Sequence, residues 1–185
     1  MSAIILEWAK NNVNVSSSAD NYPCAVCDTT GNFYICWGAY GTVSGATNVG
    51  LSASKMAVAK FNSTGATVWI KQYGLVLTAN SETPRTIALD ASGNVVIALH
   101  VAATISGGTN LGNNEIYISK YSGSTGAIQW AVQSAVINTT SADQSPAISI
   151  DPSNNIYMAY QTAGTISGGA NAASTDIALA KFNSS

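Results

Sequence analysis

The chain has 185 residues, 46% of them hydrophobic, and only 9% are charged, against about a quarter in an average soluble domain. That length and apolar content are enough for a buried core. The net charge of −2 and the scattering of the seven cations exclude the basic footprint of a nucleic-acid binder and the polybasic patch of a protein held on anionic membranes.

With so few charges, the surface must be made of Ser, Thr, Asn, Gln and Gly. Such surfaces are common on exported or virion-exposed β-proteins, so an extracellular or virion-surface location is favoured. The opening Met1-Ser2-Ala3-Ile4-Ile5-Leu6 is too short for the apolar core of a signal peptide, and Glu7 follows it directly. No run approaches the length of a transmembrane helix, and membrane insertion is not expected.

In chain order, the first strand-like segment runs from Ile4 to Lys10 and contains Trp8. Its counterparts are Val68 to Tyr73 and Ile128 to Val132, and Trp8, Trp69 and Trp130 lie 61 residues apart, twice. A fixed period of that size marks a repeat architecture, with repeats at about 8–68, 69–129 and 130–185. After each tryptophan segment a polar loop ends at a proline: Pro23, Pro84 or Pro146. Short apolar segments follow at Cys24–Cys27, Thr86–Leu89 and Ala147–Ile150.

The cysteines Cys24, Cys27 and Cys36 all fall in the first repeat. Their odd number argues against a disulfide framework. Cys24 and Cys27 have the spacing of half a zinc site, but no second pair exists and the sole histidine, His100, lies a repeat away. Cys27 aligns with Leu89 and Ile150, and Cys36 with Ala98 and Ala159, so core packing is the expected role. A Cys24–Cys36 bridge across the following hairpin is the alternative.

Each apolar segment ends at an aspartate, Asp28, Asp90 or Asp151, which opens a turn. Its carboxylate can accept backbone amides two residues on, and Gly or Asn supplies the left-handed residue that closes the turn. A calcium loop needs more carboxylates and a distal Glu, so no metal is expected. Next come Phe33 to Tyr40, Val95 to Ala102 and Ile156 to Thr162, rich in β-branched and aromatic residues. Their continuous apolarity predicts burial on both faces. A Ser-Gly-Gly/Ala-x-Asn loop follows in each repeat, and then Met56 to Phe61, Ile116 to Tyr121 and Ile177 to Phe182. No window has helical periodicity. The chain reads as all-β, three repeats of four strands.

The units Asp151 to Tyr157, Ser167-Gly168, and Asp176-Ile177 through Lys181-Phe182-Asn183 resemble the bacterial β-propeller repeat family of SBBP type, over essentially the whole chain. The Asn-x-x-Gly-x-x-x-Trp part is similar to the tryptophan-docking pattern of quinoprotein-type propellers. The resemblance implies four-stranded blades, with each tryptophan on an outermost strand packed against the neighbouring blade. It carries over no catalytic residue. Residues 1–10 would supply the outer strand of the last blade. Two chains joined head to tail would then make a six-bladed homodimer, since propellers have about four to eight blades. The rival is a monomeric β-prism of three four-stranded sheets.

For function, the repeated loops are the best candidates, through Ser44, Asn48, Ser106, Asn110, Ser167 and Asn171. Loops on a rigid scaffold commonly carry binding, and Tyr40 or Trp37 nearby could stack on a sugar. Asp28, Asp90 and Asp151, with Trp8, Trp69 and Trp130, are read as structural. His100 has no positioned Ser or Cys partner and is read as structural or surface. Lys60, Lys120 and Lys181 recur as strand-end lysines with their ammonium groups in water. The expected function is a non-enzymatic structural or interaction protein without cofactors, meeting a protein surface. A multivalent lectin is the alternative, and a glycosidase or lyase a third reading.

Overall fold

The aspartate turns form as the sequence predicts, and they set the hairpins. Asp28 Oδ1 accepts the backbone N–H groups of Thr30 at 3.0 Å and Asn32 at 2.9 Å. Asp90 holds Ser92 and Asn94 in the same way, and Asp151 holds Ser153 and Asn155. The left-handed position is filled by Gly31 (φ 81°), Gly93 (φ 75°) and Asn154 (φ 64°), residue types that tolerate it.

The computed structural model describes residues 5–10, 18–43, 53–74, 80–105 and 108–183. It contains eleven strands in three antiparallel sheets. The first sheet comprises β1 (Asp20–Cys27), β2 (Phe33–Ala39), β3 (Lys55–Phe61) and β4 (Thr67–Gln72), in that spatial order. The second comprises β5 (Glu82–Leu89), β6 (Val95–Val101), β7 (Glu115–Tyr121) and β8 (Ile128–Val132). The third holds β9 (Asp143–Ile150), β10 (Ile156–Thr162) and β11 (Asp176–Phe182). Within each sheet every strand pairs with the next along the chain, so the sheets are meanders. The leading strands come together, β1 against β5 and β5 against β9.

Two apolar clusters lie between the sheets. Tyr34, Cys36, Met56, Val58 and Trp69 of the first sheet meet Val95, Ile97, Leu99 and Tyr117 of the second. On the other face of the second sheet, Val96, Ala98, Ile116 and Ile118 meet Ile156, Met158 and Tyr160 of the third. Strand alternation sends successive side chains to opposite faces, so β6 is buried along its whole length. The expectation of two-sided burial therefore holds for β6, and nearly so for β2, but fails for β10, where Tyr157 is exposed.

Several expectations need correction. The prolines do not end loops: Pro23, Pro84 and Pro146 lie inside β1, β5 and β9, beside a register shift in each pairing. In β1 and β9 the proline is among the residues left out of the register, where its missing N–H costs nothing, whereas in β5 Pro84 pairs with Leu99 and the shift follows it. Tyr22 (φ 57°) and Ser145 (φ 55°) turn the chain there. Residues 5–10 form no strand. Cys27 is exposed rather than packed in the core: it pairs with Phe33 on the face of the first sheet that no other sheet covers among the described residues, while Val26 on the opposite face packs toward the second sheet. Cys24 and Cys36 do face each other directly across β1 and β2, as free thiols.

Candidate functional site

The β1–β2 and β3–β4 turns, and their equivalents, lie at one end of the sheets. The Ser-Gly loop after β10 lies at the other. The two ends differ in chemistry.

At the turn end, the repeated residues hold one sheet to the next. Trp69 is buried, and its Nε1 donates to the Gly123 carbonyl at 3.2 Å in the turn after β7. A Cβ on Gly126 would stand 2.8 Å from the Trp69 ring, so only glycine leaves room for the indole. Trp8 repeats the contact on the first sheet. Its Nε1 donates to Ser63 O at 3.2 Å, and a Cβ on Gly65 would lie 3.2 Å from its ring. Trp130, half-buried, packs against the cluster between the second and third sheets.

The aspartates serve their own turns. Desolvation pushes the Asp28 carboxyl up, but the hydrogen bonds from Asn32 and Thr30 together outweigh it and hold it at about 2. Asp90 is also lowered: burial opposes ionisation, and Lys120, at 2.7 Å, and Asn94 favour it more. The Asp151 shift is likewise downward, led by the Asn155 hydrogen bond. A carboxylate whose acceptor sites are filled by its own turn is a poor base. Two of the three repeated lysines depart from expectation. Lys60 donates to Gly123 O and Lys120 pairs with Asp90, because each stem runs along a strand that ends at a turn. Lys181 is exposed, as expected, with its ammonium 5.1 Å from the centroid of the Tyr157 ring.

At the loop end, a buried polar seam appears that the sequence reading missed. Glu82 accepts the Met56 N–H at 2.9 Å and lies 4.0 Å from Lys55, with both side chains almost wholly buried. In the next seam Asn138 accepts the equivalent Ile116 N–H at 2.6 Å, and Asp143 accepts Thr139 N at 2.6 Å. Burial pushes Glu115 up, against hydrogen bonds from the Leu111 and Gly112 amides, and the Asp143 charge adds to the rise. Glu82, Glu115 and Asp143 are each 0% exposed. Carboxyls closed off from solvent cannot touch a substrate, so this cluster is a joint between sheets.

Two glutamines brace the loops. Gln72 accepts the Val43 N–H at 3.0 Å and donates to Gly41 O at 2.9 Å. Gln133 accepts the Ile105 N–H at 3.0 Å and donates to Ala103 O at 2.9 Å. Their sequence signal was available, since both stand three residues after a tryptophan.

Of the predicted loop residues, Ser44, Asn48 and Ser106 lie outside the described residues. Asn110 accepts the Gly112 N–H at 2.8 Å. Asn171 accepts the Ala173 N–H at 3.0 Å and donates to Gly164 O at 3.3 Å. Both side chains thus bond their own loop, while Ser167 is exposed. The third loop and β11 border a concavity of about 250 Å³, lined by Gly164, Ile166, Ser167, Asn171, Asp176 and Ile177 among others. Trp37 is no stacking platform: it is 3% exposed, and its Nε1 donates to Asp20. Tyr40 is exposed. His100 is buried, not at the surface, and its Nδ1 accepts the Ser145 N–H at 3.4 Å. Among the described residues, no group of three His, Cys, Asp or Glu side chains is placed to hold a metal ion.

No protein-family model matches the sequence, and no curated protein matches it. Among solved structures, the chain is similar to a thermostable family-43 glycoside hydrolase, with a TM-score of 0.49 and 9% identity. The alignment covers 89% of this chain and 55% of that one, so the chain spans about half the length of the hydrolase. Likeness at this level says nothing about activity.

Proposed function

We propose that the chain is a non-enzymatic interaction scaffold: three blades of a β-propeller of the bacterial repeat type, displaying uncharged loops at one end. The observation that carries this reading is the docking of two of the repeated tryptophans on glycine turns, Trp69 on Gly123 and Gly126 of the following sheet and Trp8 on Ser63 and Gly65 of the first. Residues that recur once per repeat are spent on turns and seams. Asp28, Asp90 and Asp151 sit in turns, and Glu82, Glu115 and Asp143 in closed joints. A protein surface met by backbone and hydroxyl groups is the partner such loops suit, outside the cell or on a particle.

The test combines a glycan array with chromogenic glycoside hydrolysis on the folded chain. Silence in both is the expected result. Sugar binding that disappears in Ser167→Ala or Tyr40→Ala would replace this reading with a multivalent lectin. Turnover abolished by Asp90→Asn, with the fold intact, would replace it with an enzyme.

A further inference from the structure

Each internal contact joins one face of a sheet to the opposite face of the next. On the forward face of the first sheet, Tyr34, Met56 and Val58 are buried under the second. On the forward face of the second, Ile116 and Ile118 are buried under the third. The same positions of the third sheet are Tyr157, Ile177 and Leu179, and they are 43%, 67% and 75% exposed. The backward face of the first sheet is also incomplete. Phe33 and Ile35 are only half-buried there, beside hollows of about 70 Å³ and 130 Å³.

The N-terminal segment is placed as if a sheet preceded the first. Trp8 holds Ser63 and Gly65 as Trp69 holds Gly123 and Gly126, and Lys10 donates to Gly65 O at 3.3 Å. Among the described residues no strand lies beside β11 on the side where the first and second sheets carry β4 and β8. The 250 Å³ concavity lies at that edge. It adjoins Gly164 and Ile166, which align with the loop groups that Gln72 and Gln133 brace in the other sheets. In the sequence, the carboxamide three residues after each tryptophan recurs as Asn11, Gln72 and Gln133.

We propose that a second copy of this chain seats its first sheet on the forward face of the third sheet, and that its Ile5–Lys10 segment pairs with β11 as the missing fourth strand. This rests on reading the sheets as blades. The new contact repeats the internal one. Lys181 over Tyr157 stands as Lys60 stands over Tyr34. Lys60 also reaches the turn carbonyl of Gly123, whose counterpart is the partner's Ser63. Such a head-to-tail contact is heterologous and closes only as a ring. Two copies bring six sheets, within the usual range of about four to eight, whereas one or three copies fall outside it. Closure also covers the open edge of β11.

Native mass spectrometry of the whole chain should show twice the 19.0 kDa chain mass. Ile177→Asp with Leu179→Asp, both on exposed positions, should keep the circular dichroism spectrum and raise the dimer dissociation constant at least about 30-fold. Hydrogen exchange should show β11 amides protected in the dimer and released in the double variant. A monomeric wild type with Trp69 shielded from quencher would overturn the second-copy proposal alone. A Trp69 open to quencher would overturn the blade reading beneath it. A dimer that the double variant leaves intact would place the contact elsewhere and also overturn the proposal.

Discussion

Ile116 and Ile118 of β7 have no exposed surface, whereas Ile177 and Leu179, at the same positions of β11, are among the most exposed large residues of the molecule. The second sheet is covered on both faces and the third on one. Their sequences follow the same pattern, so the pattern does not report burial. What decides burial is whether another sheet lies alongside, a long-range matter that a strand's own residues do not encode.

The largest effect that would sharpen this contrast is at the tryptophans. Trp69→Ala should cost about 4 kcal/mol of unfolding free energy, as a buried large-to-small change does. Trp8→Ala, at an exposed ring, should cost about 1 kcal/mol in the dissociated chain, since much of that ring's surface stays in water. Equal losses in urea titrations would break the distinction. Ile118→Ala should cost about 3 kcal/mol, while Leu179→Ala, measured at dilutions that exclude self-association, should change stability by less than about 0.5 kcal/mol. Comparable midpoints for these two variants would mean that the forward face of the third sheet is covered within one chain.

His100 tests the seam between the second and third sheets through pH. Burial first, and the Arg85 charge second, push the folded imidazole from 6.5 down to about 4. Between those values the unfolded chain binds a proton that the folded chain refuses. Stability is therefore complete above pH 6.5 and falls as pH drops toward 4, by up to about 3 kcal/mol. His100→Gln should flatten that slope in thermal melts between pH 4 and 7 and leave the steeper loss from the aspartates below pH 4. A slope unchanged in the variant would show that another group titrates there. A smaller effect than that of His100 concerns the turns. Asp90→Asn removes the charge paired with Lys120 and should lower stability by about 1–2 kcal/mol, and Asp151→Asn in its exposed turn should do less. The reverse order would put the tighter turn on the outer sheet.

What was legible in the sequence was local. The turns at Asp28, Asp90 and Asp151 depend on groups within four residues, so residue type sufficed to read them. The strand segments were mostly placed within a few residues of their observed ends. The three prolines were misread because a bulge is a property of two paired strands, and Pro23 or Pro146 alone does not show its partner. The loop candidates were found, but Asn110 and Asn171 turned out to hold their own backbones.

The sequence by itself determined the all-β class and the chemistry of every aspartate turn, since strand-length segments and short-range hydrogen bonds are written in neighbouring residues. Only the tertiary structure decided that Cys27 is exposed, that Trp37 and His100 are buried, and that Glu82, Lys55 and Asn138 form joints. Those outcomes depend on which sheet lies against which. Contact between distant segments decides whether a side chain meets water, another side chain or a backbone amide left over from a strand end.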